Sequence, residues 1–256
     1  MTTNTGEAMQ PLIAGNWKMH GLASRLGEIE AVSVSIRARP IYADVLICPP
    51  ATLLARAVQA AAGSIAIGGQ DCDCESTGAF TGDISAEMLK DTGACAVIVG
   101  HSERRQRHGE TDAMVAAKVT AAWRAGLLAI VCIGESEAQR LAGKALTVCG
   151  DQIAGSLPAV MASSAVAIGY EPLWAIGSGS MPSPEEITQM HQHIRQCLVA
   201  HWGAAGKLVR ILYGGSVKPS NAREILALPE VGGALVGGES LEAMDFETIC
   251  RSVPPA

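Results

Sequence analysis

Aromatic side chains are scarce in this chain: four Trp, three Tyr and two Phe among 256 residues. A core of stacked rings is excluded, so the 48% hydrophobic content must pack mainly through Ala, Val, Ile and Leu. Runs of Lys or Arg are also missing, and the formal charge is −6. That balance excludes the broad basic footprint of a nucleic-acid binder or a protein held to an anionic membrane, so any basic site must be local. No apolar run approaches the ~20 residues of a membrane helix. The longest, LLAIVCI from Leu127 and ACAVIV from Ala94, have the length of buried strands. The first ten residues, MTTNTGEAMQ, lack the basic start and apolar block of a secretory signal, so residues 1–10 are expected to be a flexible tail of a cytoplasmic protein. Cysteine is plentiful, with eight residues, but Cys48, Cys95 and Cys132 lie inside apolar runs and are expected to be buried, reduced thiols. Cys72-Asp73-Cys74 is a C-x-C without a second pair, and no structural metal is expected.

What is present is a recurring alternation. Eight short apolar runs end in glycine or a polar residue: LIAGNWK, DVLICPP, IAIGGQD, ACAVIVGHS, LLAIVCIGES, AVAIGYEP, VRILYGGS and GALVGGES. None alternates apolar with polar, which is the pattern of parallel strands covered on both faces, and parallel neighbours need a helical crossover. Helix starts fill the gaps. Ser183-Pro184-Glu185-Glu186 and Ser136 with Gln139 read as capping boxes, and Thr111 and Ser85 as N-caps. Ile187, Met190, Ile194, Cys197 and Leu198 mark one helical face. Eight such units predict an α/β fold, a (β/α)8 barrel spanning residues 11–256 as a single catalytic domain. An open doubly wound sheet ordinarily carries G-x-G-x-x-G after its first strand, and none follows Asn16.

In such a barrel the chemistry collects where the strands stop. There stand Asn16-Trp17-Lys18, Gly100-His101-Ser102-Glu103-Arg104-Arg105, Tyr170-Glu171-Pro172, Gly214-Gly215-Ser216 and Gly237-Gly238. A lone lysine at a strand end is ordinarily solvated, and a lone histidine is ordinarily a satisfied core imidazole. Glu171 is different, because a carboxylate beyond a buried strand is costly unless paired or solvated, and the following proline holds it extended. The glycine pairs, with a short helix after Gly238, describe a phosphate cradle. After Pro172 come the apolar Leu173-Trp174-Ala175-Ile176 and the hinge-like Gly177-Ser178-Gly179-Ser180, a candidate lid. A base at Glu171, a proton-donating electrophile at His101, a cation at Lys18 and a phosphate grip together suit proton abstraction beside a carbonyl. The resulting enediolate needs donors at its oxygen and shelter from water. Arg104 and Arg105 are expected in structural ion pairs, and Trp202 over a helix.

AGNWKM, GHSERR, YEPLWAIGSG, LYGGSV and ALVGG closely resemble the triosephosphate isomerase family, and the likeness covers nearly the whole chain after its first ten residues. The resemblance implies interconversion of dihydroxyacetone phosphate and D-glyceraldehyde 3-phosphate without a cofactor. Glu171 would move the proton, His101 serve the two oxygens, Lys18 and Asn16 stabilise charge, and Glu103 support them. Phosphate contacts would fall to Gly177, Ser216, Gly237 and Gly238, under a lid of Pro172 to Ser178. It further implies a homodimer joined by the loop from Gly68 to Asp83, centred on Thr81. The chain departs from the family at His20, Ser178, Ser180, Glu239 and Glu242, and Glu239 is expected to face solvent rather than a phosphate. Two alternatives compete with this reading: an isomerase of a phosphorylated four-carbon ketose, and a non-catalytic phosphate-binding barrel.

Overall fold

The computed structural model describes residues 9–161, 163, 165–176 and 181–254. Among them, eight strands form a closed barrel in sequence order: β1 Leu12–Asn16, β2 Asp44–Cys48, β3 Ala66–Gly69, β4 Ala96–Val99, β5 Leu128–Ile133, β6 Val166–Tyr170, β7 Arg210–Tyr213 and β8 Gly233–Val236. Every pairing is parallel, and β1 joins both β2 (Leu12↔Asp44) and β8 (Leu12↔Gly233), which closes the ring. Each predicted run holds one strand.

The absence of alternation has a direct cause. Leu12, Ala14, Leu46, Cys48, Ile98, Ile130 and Cys132 point into the barrel, while Ile13, Ile47, Val97, Val99 and Val131 point into the layer beneath the helices. Successive side chains face opposite ways and both faces are dry, so each position is apolar. Removing a Val, Ile or Leu side chain from water contributes about 1.5–3 kcal/mol, which makes these two layers the principal stabilising element.

The helices are α1 Leu26–Ala38, α2 Leu54–Ala61, α3 Ala86–Asp91, α4 Ser102–His108, α5 Asp112–Arg124, α6 Glu137–Leu141, α7 Ala145–Ser156, α8 Pro184–Trp202, α9 Ala222–Leu226 and α10 Ala243–Arg251. Ser85 and Thr111 accept from Met88 N and Met114 N, and the boxes at Ser136 and Ser183 are reciprocated by Gln139 and Glu186. These caps fix where the chain leaves each loop and enters its crossover helix. On α8 the predicted face is buried at Ile187, Met190, Ile194 and Leu198. No helix among the described residues is long and apolar enough to cross a membrane.

Cys95 corrects an expectation. It is exposed, because β4 begins only at Ala96 and leaves Cys95 at the N-terminal mouth of the barrel, whereas Cys48 and Cys132 are buried. Arg104 pairs with Asp71 and Glu110, Arg105 with Asp112, and the Trp202 ring lies against Trp123 and donates to Pro158 O.

Candidate active site

At the carboxyl end of the barrel a cavity of about 170 Å³ is lined by Asn16, Lys18, His101, Glu171 and Ile176, by Gly214 to Val217, and by Leu235 and Gly237 to Glu239. The strand ends deliver these groups. Asn16 closes β1, and its Oδ1 accepts from Lys18 N at 2.9 Å. Gln70 Nε2 donates to Lys18 O and to Cys48 O, both at 2.8 Å. These bonds hold Lys18 at φ +53, a conformation that costs energy in a residue with a Cβ and is kept only where its surroundings impose it. The lysine Nζ lies 2.7 Å from Glu103 Oε1. Burial opposes ionisation of Glu103, but the Lys18 ammonium outweighs it and holds the carboxyl below its usual range.

His101 is the N-cap of α4. Its Nδ1 accepts from Glu103 N at 3.3 Å, so the ring's proton is on Nε2, which faces Glu171 Oε1 at 3.1 Å. Glu171 is 2% exposed. Its carboxylate also accepts from Ser102 N at 3.1 Å and Ser102 Oγ at 2.9 Å. Three donors at the first turn of a helix offset much of the cost of desolvating the charge. Behind it the Cys132 thiol is pushed well up by burial and then by the Glu171 charge, so it stays protonated beside the carboxylate. Gly214 makes room for the acid: a Cβ there would lie 2.9 Å from Tyr170 O and 3.2 Å from Glu171 Cγ.

The segment after Glu171 is anchored by a group that the sequence reading passed over. Glu135, at the end of β5, is fully buried and accepts from Trp174 Nε1 at 2.9 Å, Tyr170 OH at 3.2 Å and Arg140 at 3.3 Å. The Arg140 guanidinium also sits 4.3 Å over the Trp174 ring and bonds Glu186, the capping-box residue of α8. Burial, and behind it the Glu135 charge, pushes the Tyr170 phenol up. One buried carboxylate and one arginine thus tie the start of the candidate lid to β5 and to the helix beyond it. The signal was available, since Glu135 is the polar residue where the apolar run LLAIVCIG stops.

Pro172 and Ala175 are buried, Leu173 and Trp174 half-buried, and Ile176 is exposed at the cavity edge. Gly177, Ser178 and Ser180 lie outside the described residues. Thr81 is exposed in the β3–α3 loop, away from the cavity, and His20 is exposed too. Glu239, expected to face solvent, is instead half-buried and lines the cavity, because the turn Gly238–Leu241 starts directly at the glycine pair.

A parallel eight-stranded barrel whose strand ends converge a carboxylate, an imidazole N–H and an ammonium on one glycine-bordered cavity belongs to the (β/α)8 enzymes that work by moving protons. A sequence profile described as "Triosephosphate isomerase" matches residues 11–253. Curated proteins of that name from Rhodopseudomonas palustris (strain BisA53) and Caulobacter vibrioides are each 55% identical, covering 96% and 95% of this chain and 99% and 97% of their own lengths. The crystal structure of triosephosphate isomerase from Bartonella henselae superimposes with a TM-score of 0.88 at 47% identity, over 95% of this chain and 98% of that one. The chain is an enzyme of the triosephosphate isomerase family.

Proposed function

We propose that this isomerase transfers its proton through Glu171; the reaction is the interconversion of dihydroxyacetone phosphate and D-glyceraldehyde 3-phosphate. Glu171 takes a proton from the carbon beside the carbonyl and returns it to the neighbouring carbon. His101 Nε2–H donates to the oxygen on which charge develops, and Lys18 and Asn16 stabilise the enediolate, with Glu103 orienting the lysine. The substrate phosphate rests on the backbone N–H groups of Ser216, Gly237, Gly238 and Gly177. The lid from Pro172 to Ser178 closes over it, excluding the water that would promote loss of phosphate. The observation that carries this reading is the 3.1 Å approach of His101 Nε2 to the Glu171 carboxylate in the cavity that also receives Lys18. A barrel that only bound phosphate would not need those three groups together.

The test is turnover of glyceraldehyde 3-phosphate in a coupled assay, repeated on Glu171→Gln. General-base removal lowers kcat by roughly 10²–10⁴-fold. A glutamine variant with kcat near the parent's would remove Glu171 from the mechanism.

Residues 11–256 work as one catalytic barrel in the cytoplasm, with residues 1–10 as a tail. The working unit is a homodimer joined through the loop centred on Thr81. Supporting this, Phe80 beside it and Met19 and Leu22 after β1 are large apolar side chains left exposed by a single chain. Thr81→Arg is expected to yield monomers in sedimentation velocity; a dimer of unchanged affinity would refute the assignment.

A further inference from the structure

Four charged or ionisable residues line the cavity: Lys18, His101, Glu171 and Glu239. His101 already engages Glu171 through Nε2 at 3.1 Å, and Lys18 is held at 2.7 Å by Glu103. The pocket thus offers an incoming anion one compensated cation and two carboxylates. Glu171 has its three donors, but among the described residues the Glu239 carboxylate has neither an ion pair nor a hydrogen bond. Three residues on, Glu242 is neutralised by Arg25 at 2.7 Å, and that contact raises the arginine's already high pKa. The two glutamates are therefore treated differently: the Glu242 charge is cancelled, and that of Glu239, on a residue that lines the site, is not.

Resting on the phosphate placement proposed above, we infer that Glu239 is a specificity-determining residue that loosens the grip on the substrate's phosphate. A phosphomonoester carries between one and two negative charges near pH 7, so a carboxylate beside its cradle opposes the attraction of the backbone N–H groups. The phosphate keeps the same charge throughout the proton transfer. Repulsion from Glu239 therefore acts equally on bound substrate and on transition state, and it raises KM without slowing the chemical step. Gly238 supplies the internal control, because it lines the cavity and a Cβ built there meets no protein atom within 4 Å, so that a side chain at this position would occupy space open to the ligand.

Glu239→Gln keeps the shape and removes the charge. The KM for glyceraldehyde 3-phosphate and the competitive Ki of inorganic phosphate are both expected to fall roughly three- to tenfold, the size of an exposed charge–charge term. The change in kcat should be smaller than either. The gap between parent and variant should narrow with added salt, since screening weakens a repulsion between partly exposed charges. Gly238→Val, which puts bulk against the cradle, should raise both constants. If Gly238→Val raises them while Glu239→Gln leaves them unchanged, the role of Glu239 is refuted and the phosphate placement stands. If Gly238→Val also leaves the Ki of phosphate unchanged, the placement itself is wrong and the inference falls with it.

Discussion

Replacing Gly134 by alanine tests the position of Glu171 without touching any reacting atom. A Cβ at residue 134 would stand 1.9 Å from the carbonyl oxygen of Glu171 and 2.9 Å from its carbonyl carbon. Ordinary carbon–oxygen contacts are ~3.3 Å or more, so the two backbones must separate by about 1.4 Å. Gly134 is not free to give way, because its N–H donates to Gln152 Oε1 at 2.8 Å and its carbonyl accepts from Gln152 Nε2 at 3.1 Å. Its neighbours grip the other side: Glu171 N donates to Ile133 O at 2.8 Å and Leu173 N to Glu135 O at 3.2 Å. Much of the movement therefore passes to Glu171. A misplacement of about 1 Å can cost on the order of 100-fold in rate, and overpacking of this kind costs about 1–3 kcal/mol of stability. The assay is kcat/KM for glyceraldehyde 3-phosphate together with the urea midpoint. Gly27→Ala, in α1, makes the same chemical change where a Cβ meets nothing within 4 Å, and should leave both readings near the parent's. A folded Gly134→Ala enzyme with kcat/KM within threefold of the parent would show that the acid's position is not set by this contact.

Two further perturbations follow from buried ionisable groups. His191 is fully buried between the Tyr170 and Tyr213 rings with Nδ1 on Glu230 O, and burial lowers its pKa to about 4. The unfolded chain takes up this proton near pH 6.5 while the folded chain refuses it, so the group's contribution is complete above about 6.5, shrinks as pH falls and is gone below about 4. The window is worth about 3 kcal/mol. Urea midpoints from pH 8 to 4.5 should fall more steeply in the parent than in His191→Gln, and equal slopes would contradict the assignment. Glu135→Ala removes the buried acceptor shared by Trp174, Tyr170 and Arg140 and should cost about 3 kcal/mol, since it takes the carboxylate from the buried Tyr170 hydroxyl and breaks the ion pair with Arg140. A midpoint shift worth less than about 1 kcal/mol in urea unfolding would mean that those donors find other partners.

The strands and helix starts were legible because both are local. An apolar run such as LIAGN declares a strand dry on two faces, and Ser183 with Glu186 declares a cap within four residues. Glu171, His101 and Lys18 were legible for a related reason, since in a parallel barrel a polar residue at a strand end is carried to the site by topology alone. Contacts between distant segments were not legible. The bonds from Ser102 to Glu171 and from Gln152 to Gly134 depend on rotamers and on how loops from different strands fold over one another. The outlook of Glu239 was misjudged because electrostatics alone argued for solvent, while the tight turn at the glycine pair fixes the backbone that carries it. Cys95 was misjudged because an apolar run overstates its strand by two residues at the start.

Closure of the ring makes manufacture all-or-nothing. The first strand hydrogen-bonds to the last, and Trp17 Nε1 donates to Ser240 O across 223 residues, so a chain emerging from the ribosome holds its opening strand with one edge unpaired until the final quarter-turn of the polymer arrives. A product that stops before Gly233 therefore lacks both the strand that closes the ring and the glycine pair that borders the cavity.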